Sequence, residues 1–375
     1  MAGIYIHIPF CKRRCLYCAF YSSTLHNEQQ RYCDALCKEL RLRSNYIIGT
    51  VDTVYFGGGT PSTLTEQQLS MILGAIKENF TLSPTAEITI EANPDDLTPE
   101  YLATLRSLSF NRLSMGIQSF DERQLQALGR RHTAHRASQA VENARAAGFT
   151  NISIDLMFAL PSSTLAEWQR SIEQAIALRP THISAYNLTY EEGTPLYRAL
   201  QEGSIKAVDE EENLAQFSTL IDTLAAAGYR HYEISNFALP GYESRHNSSY
   251  WHDVPYLGCG AAAHSYDGHS RGWNIADINA YIEGVESGEP NFEVEHLSPT
   301  EQYNDAILTR LRTTDGVPVD WIRQKFGDRL TDYMLKNAAA HLSAGRLREH
   351  SGSLVLTRDG LFVSDAIMRD LIYIE

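Results

Sequence analysis

Cys11, Cys15 and Cys18 stand close together in the run Cys11-x3-Cys15-x2-Cys18. Three thiolates on so short a loop can each take one iron of a 4Fe–4S cluster, which leaves the fourth iron open to a small chelating molecule. Structural zinc usually asks for four protein ligands, and no obvious fourth stands beside this trio. A disulfide between two of them would leave one over. Three of the six cysteines clustered in this way point to metal or redox chemistry, and the iron–sulfur reading is favoured.

A second set of chemically useful residues emerges once the elements are laid out. Apolar runs at Ile4–Ile8, Thr53–Phe56, Glu87–Ile90, Arg112–Ile117, Ile152–Phe158 and His182–Leu188 read as strands. Between them lie amphipathic helices whose starts carry capping signals: Thr65 with Gln68, Thr164 with Glu167, and Thr98 followed by Pro99. Strand and helix in regular alternation predict an α/β fold, a partial (β/α)6 barrel built on a parallel sheet. Sites in such barrels form where the strands end. Read there, the sequence offers Gly57-Gly58-Gly59-Thr60-Pro61, Glu91, Gln118 and Asp155. Glycines let backbone approach a ligand closely, and four successive strands ending in such groups predict one shared site.

The later chain is less regular. A helix is expected near Asp209–Ala227, then a short strand in Tyr232–Phe237 and a loop rich in Gly, His and aromatics up to about residue 275. Beyond it the chain turns helical, at Pro299–Arg312, Pro318–Phe326 and Leu330–Leu347, with a small β-wing at Leu354–Thr357. The expected division is a barrel over 1–235 and a smaller, mostly helical domain with the wing over 236–375.

With these residues in place the sequence resembles the radical S-adenosylmethionine (SAM) superfamily, whose signature is a cysteine loop of this spacing after the first barrel strand. The resemblance implies a 4Fe–4S cluster on Cys11, Cys15 and Cys18, its open iron chelated by the amine and carboxylate of SAM. The run Gly58, Gly59 and Thr60 looks like the superfamily's GGGTP-type segment, which holds the SAM amino group. Leu188–Tyr197 and Tyr232–Phe237 are similar to the oxygen-independent coproporphyrinogen-oxidase-like branch. In that branch Tyr5, Tyr17, Glu91, Gln118, Arg130 and Asp155 fall where SAM contacts lie. Glu91 and Asp155 suit ribose hydroxyls or the ammonium, and Arg130 suits a carboxylate.

The branch contains both a dehydrogenase that oxidatively decarboxylates coproporphyrinogen III and a group of haem chaperones, and this chain is closer to the chaperones. Phe20 stands where the dehydrogenase has a further cysteine, and almost nothing precedes the first strand. His246-Asn247-Ser248-Ser249-Tyr250-Trp251 matches the HNxxYW motif associated with haem. Alone, a histidine beside aromatics reads as loop packing; the resemblance implies haem contact at His246. Two segments depart from the branch: Ala159–Thr164 lacks two glycines beside Asp155, and Cys259–Ser265 carries alanine for glycine or proline. The expected function is a protein that binds haem and passes it to acceptor proteins, with SAM and the cluster supporting transfer and a homodimer among the assemblies allowed. The dehydrogenase is the alternative.

The formal charge of −14 argues against nonspecific nucleic-acid binding. No signal peptide is visible, and no apolar run reaches the roughly 18 residues of a membrane span, so a cytoplasmic protein is expected. Cys33, Cys37 and Cys259 read as core, and Arg131 and His132 as surface.

Overall fold

The computed structural model describes residues 2–374. Six strands run parallel in the order of the chain: β1 (Gly3–Ile8), β2 (Thr50–Gly58), β3 (Thr81–Ala92), β4 (Arg112–Gln118), β5 (Asn151–Phe158) and β6 (His182–Asn187). This is the expected partial (β/α)6 barrel. Its helices start where the caps predict: Thr65 and Thr164 close capping boxes with Gln68 and Glu167, and Thr98 caps the helix opened by Pro99.

Period-two alternation gives the strands two unlike faces. On the outer face Ile4, Ile6, Ile8, Ile90, Leu113, Ile117 and Ile154 are fully buried in the main apolar core. Each such side chain contributes about 1.5–3 kcal/mol on leaving water. The inner face is polar. Thr53, Glu87, Thr89, Arg112, Ser114, Ser153, His182 and Ser184 are all buried there, and the sheet is closed below by the helix Arg245–Trp251.

Among the described residues, six short strands complete the sheet, three of them in the segment expected to be loop and one where the chain was expected to be helical. β7 (Arg230–Glu233) and β8 (Asn236–Ala238) pair antiparallel beyond β6. β9 (Tyr256–Cys259) joins β1 in parallel, and β10 (His264–Tyr266), β11 (Ser270–Asn274) and β12 (Phe292–His296) continue outward from it in antiparallel order. The strand expected in Tyr232–Phe237 is the hairpin of β7 and β8, whereas the sequence reading missed β9 to β12 because they are short, and glycines and aromatics break their alternation. Residue 235, where the sequence reading divides the chain, lies in the turn between β7 and β8. A second apolar core begins only at Tyr303, around the helices Pro299–Arg310, Val319–Ser343 (broken in two by a kink at Gly327) and Ser364–Leu371 and a three-stranded wing. This mostly helical part docks on the barrel through backbone bonds from Ile234 to Arg312 and from Thr314 to Tyr232.

Gly260 fastens the sheet extension to β1. Its φ of +105° is a left-handed value, and a Cβ there would lie 2.4 Å from the Tyr32 hydroxyl and 2.6 Å from the His7 carbonyl oxygen. Strain and overlap act together, so Gly260→Ala is expected to cost at least about 2 kcal/mol, read as a lowered urea midpoint at unchanged slope.

Candidate functional site

The six parallel strands end in a cleft of about 1260 Å³, which extends from the cysteine loop to the first residues of the helix Ser364–Leu371. Cys11, Cys15, Tyr17, Cys18, Gly58, Gly59, Thr60, Glu91, Gln118, Arg130 and Asp155 all line it. The structure therefore brings together nearly every residue the strand ends and the cysteine loop suggested.

Close packing explains the glycine run. A Cβ on Gly58 (φ +107°) would sit 2.6 Å from the His7 ring, and one on Gly59 would sit 3.0 Å from Cys11 Sγ and 2.9 Å from the Pro9 carbonyl carbon. Without side chains, the end of β2 lies directly against the cysteine loop. Thr60 then donates to Cys11 Sγ at 3.4 Å, while Arg130 donates to Cys15 Sγ at 3.3 Å, to Asn93 Oδ1 at 2.6 Å and to the Gly116 carbonyl. Hydrogen bonds to thiolate sulfur of this kind tune iron–sulfur clusters, so the donor set fits one. Among the described residues no His, Cys, Asp and Glu side chains are gathered tightly enough to grip a single ion. A cluster instead takes one thiolate per iron corner. Burial pushes the Cys11 and Cys18 thiols up, so metal loading must displace protons.

The carboxylates form the other half. Glu91 accepts from the Tyr55 hydroxyl at 2.8 Å and the Gly58 amide at 3.2 Å; Asp155 accepts from Ser114 at 3.4 Å. Burial pushes Glu91 up to about 7 and Asp155 up to about 6, although these hydrogen bonds and Arg112 oppose the rise. Among the described residues neither makes an ion pair with a cation, and a cationic ligand would fill that role. Gln118 sits at φ +71° beside an irregularity in the pairing of β4 with β5, a left-handed strain that aims the end of β4 into the cleft.

Two expected site residues lie elsewhere. Tyr5 points into the barrel below the cleft, bonded to His7 Nδ1 at 3.0 Å and stacked on Tyr55. His246 is at the closed end, 1% exposed. Its Nδ1 is 2.8 Å from Thr53 Oγ1, its Nε2 is 2.8 Å from the Tyr250 hydroxyl, and its ring stacks on Tyr55. Burial, then Arg112, lowers its pKa to about 3, which keeps the imidazole neutral. Both ring nitrogens are engaged, so iron could be ligated only by breaking one of these bonds. His132, expected at the surface, is buried with Nε2 3.0 Å from the Ile117 carbonyl oxygen; Arg131 pairs with Asp95 at 3.2 Å. Cys33, Cys37 and Cys259 are buried core residues as expected. Sequence reasoning passed over Asn93, which links Thr60 to Arg130, and Ser114 and Arg112, which precede Gln118 at two-residue steps on the inner face of β4.

The profile of the radical SAM superfamily matches residues 5–175, and that of the HemN C-terminal domain matches residues 297–363. The structure of coproporphyrinogen III oxidase (HemN) from Escherichia coli, a radical SAM enzyme, superposes with a TM-score of 0.86 over 99% of this chain and 90% of that one. At 24% identity this is a likeness of fold. Fold and cleft thus define a radical SAM protein with a HemN-type C-terminal domain, a class that implies a 4Fe–4S cluster and SAM. Among curated relatives, the heme chaperone HemW of Mycobacterium tuberculosis is 36% identical, with 99% of this chain and 94% of the relative covered. The HemW of Bacillus subtilis is 35% identical over 98% of both. The mitochondrial radical S-adenosyl methionine domain-containing protein 1 of Bos taurus is 32% identical over 99% of this chain and 87% of its own length. The chain belongs to the HemW family.

Cys15→Ser is expected to abolish the visible iron–sulfur absorbance of reconstituted protein; an intact cluster in that variant would remove Cys15 from the ligand set. For the carboxylates the sign follows from linkage. A folded pKa raised above the unfolded one gives stability that is full below the unfolded value and is lost as pH rises through the folded one. Glu91→Gln escapes that loss. The stability difference, variant minus parent, should therefore grow by on the order of 1–3 kcal/mol between pH 5 and pH 8 in ligand-free protein. Thermal melts at both pH values read it.

Proposed function

We propose that this protein is a cytoplasmic haem chaperone. Cys11, Cys15 and Cys18 hold the 4Fe–4S cluster, and Gly58, Gly59, Thr60, Glu91, Gln118, Arg130 and Asp155, with Tyr17, receive exchangeable SAM. The rest of the cleft carries haem for transfer to acceptor proteins. The cluster, when bound, supplies an open iron and one-electron chemistry. The chain's own residues orient SAM and hold the carboxylates that face its positive charges. No helix of the described residues is long and apolar enough to cross a membrane, which agrees with this reading.

The observation that carries the proposal is the size and lining of the cleft. At about 1260 Å³ it exceeds the roughly 300–1,000 Å³ typical of a single ligand's pocket. Away from the glycines and carboxylates its surface turns apolar. Phe20 (73% exposed), Tyr186 (41%), Leu214 (46%) and Val363 (38%) present large hydrophobic surface there, beside Phe217 and Phe362. Apolar side chains exposed together in one concave place mark a binding surface. A flat macrocycle beside SAM suits that wall, and Arg312 on the same lining offers a cation for a carboxylate. This lining supports haem contact in the cleft, whereas His246 holds the closed end of the barrel.

Haem titrations of Leu214→Asp with Val363→Asp, and separately of His246→Ala, test this placement. The wall variant should bind haem at least about tenfold more weakly with little change in melting temperature. His246→Ala should melt earlier yet keep its haem affinity while folded. The opposite pattern would return haem to His246. The same reconstituted protein, given SAM, a reductant and coproporphyrinogen III without oxygen, should show no multiple turnover. Sustained production of protoporphyrinogen would make it a dehydrogenase instead.

A further inference from the structure

Arg112 is among the largest fully buried side chains, 1% exposed, and its Nε and Nη1 have no hydrogen-bond partner. The hydroxyl of Thr89, level with it on β3, has none either. Guanidinium does not give up its proton in a protein, so an unmatched charge in such a place is costly and calls for a reason. Strand register supplies one. Arg112 lies one inward step before Ser114, which is level with Glu91 on β3 and donates to Asp155 on β5.

We propose that Arg112 is the positioning residue of the SAM pocket: its fixed charge, beneath Ser114, holds Glu91 and Asp155 as a pair of carboxylates ready for a cationic ligand. The inference rests on SAM occupying this cleft. Nothing else nearby does the same for both groups. His7, His182 and His246 are all pushed down by burial and are neutral, at about 4 for His7 and about 3 for His246. Tyr5, Tyr55, Tyr186, Tyr232 and Tyr250 are pushed up and uncharged. Glu87 is committed to the Arg245 and His246 amides, and Glu233 bonds Ser235 and Asn236 beyond β6. Arg130 assists Asp155 from above, but it is bound to Cys15, Asn93 and Gly116. Arg112 attracts both carboxylates.

The test is SAM affinity of the cluster-loaded protein by calorimetry from pH 5.5 to 9, for the parent, Arg112→Met and Arg112→Lys. The parent should lose affinity as pH falls below about 7. Arg112→Met should move that midpoint up by about one unit, which makes binding about fivefold weaker at pH 7, close to tenfold weaker at pH 5.5 and nearly unchanged at pH 9. Arg112→Lys, which keeps the charge, should follow the parent. Should Arg112→Met not fold, Arg112→Gln is read in the same way. Weakening by one factor at every pH, or an unmoved midpoint, overturns the role and leaves Arg112 as packing. A parent that binds no SAM at any pH overturns the pocket assignment itself.

Discussion

Everything at the mouth of this barrel depends on keeping Glu91 and Asp155 charged where water is scarce. The alternation that sends isoleucine and leucine outward leaves the interior to be filled by polar groups, and such groups are tolerated inside only when bonded. Most of them are. Ser153 meets His182, which meets Tyr232; Thr53 meets His246, which meets Tyr250. Arg112 Nε and Nη1 and the Thr89 hydroxyl are exceptions; the two carboxylates have hydroxyl and amide partners but, among the described residues, no ion pair. Carboxylates without an ion pair suit a ligand that brings positive charge, and under the proposed function the sulfonium and ammonium of SAM would do so.

That arrangement needs the cysteine loop and the strand ends to lie almost in contact. Gly58 and Gly59 allow it on one side, since side chains there would collide with His7 and Cys11. Arg130 ties the other side, joining Cys15 to Asn93 and to the end of β4. Lys12 on the same loop reaches Asp96 at 2.5 Å, and Asp96 is held in turn by Ser62 just past the glycines. The ligand loop is thus braced at several points along the chain rather than by its own short sequence.

Much of this is legible in the sequence because the relevant signals are local. Cysteine spacing, the capping boxes at Thr65 and Thr164 and the apolar runs of β1 to β6 each depend on near neighbours, and the residues ending those runs fall in one cleft. What stayed hidden depends on partners remote in the chain. β9 takes its place only by pairing with β1, and the second apolar core starts at Tyr303 because the sheet continues to His296. A linear motif also cannot say which end of a barrel it faces. His246 sits beside aromatics as a haem ligand might, yet its helix closes the end opposite the cysteines. Arg112 escaped attention because a single arginine in an apolar run looks like a strand terminus, and only the register shows it on the inner face, one step below the level of Glu91 and two below that of Asp155.

The shared cleft has a consequence for how carriage and cofactor work together. If SAM and haem occupy adjoining parts of one cavity, any influence of SAM on haem affinity must be returned in equal measure by haem on SAM. In the proposed arrangement Glu91 and Asp155 would serve SAM, while the wall of Tyr186, Leu214 and Val363 differs from them in chemistry though it lines the same cleft. Coupling between the two ligands therefore has to pass through what both would touch. The cysteine loop is placed to do this, since Cys15, Tyr17 and Cys18 line the cleft and Phe20 on the same loop belongs to the apolar wall. With the proposed ligands in place, a loop braced at Cys11 and Cys15 and exposed at Phe20 would link cluster and SAM to cargo without any larger movement of the barrel.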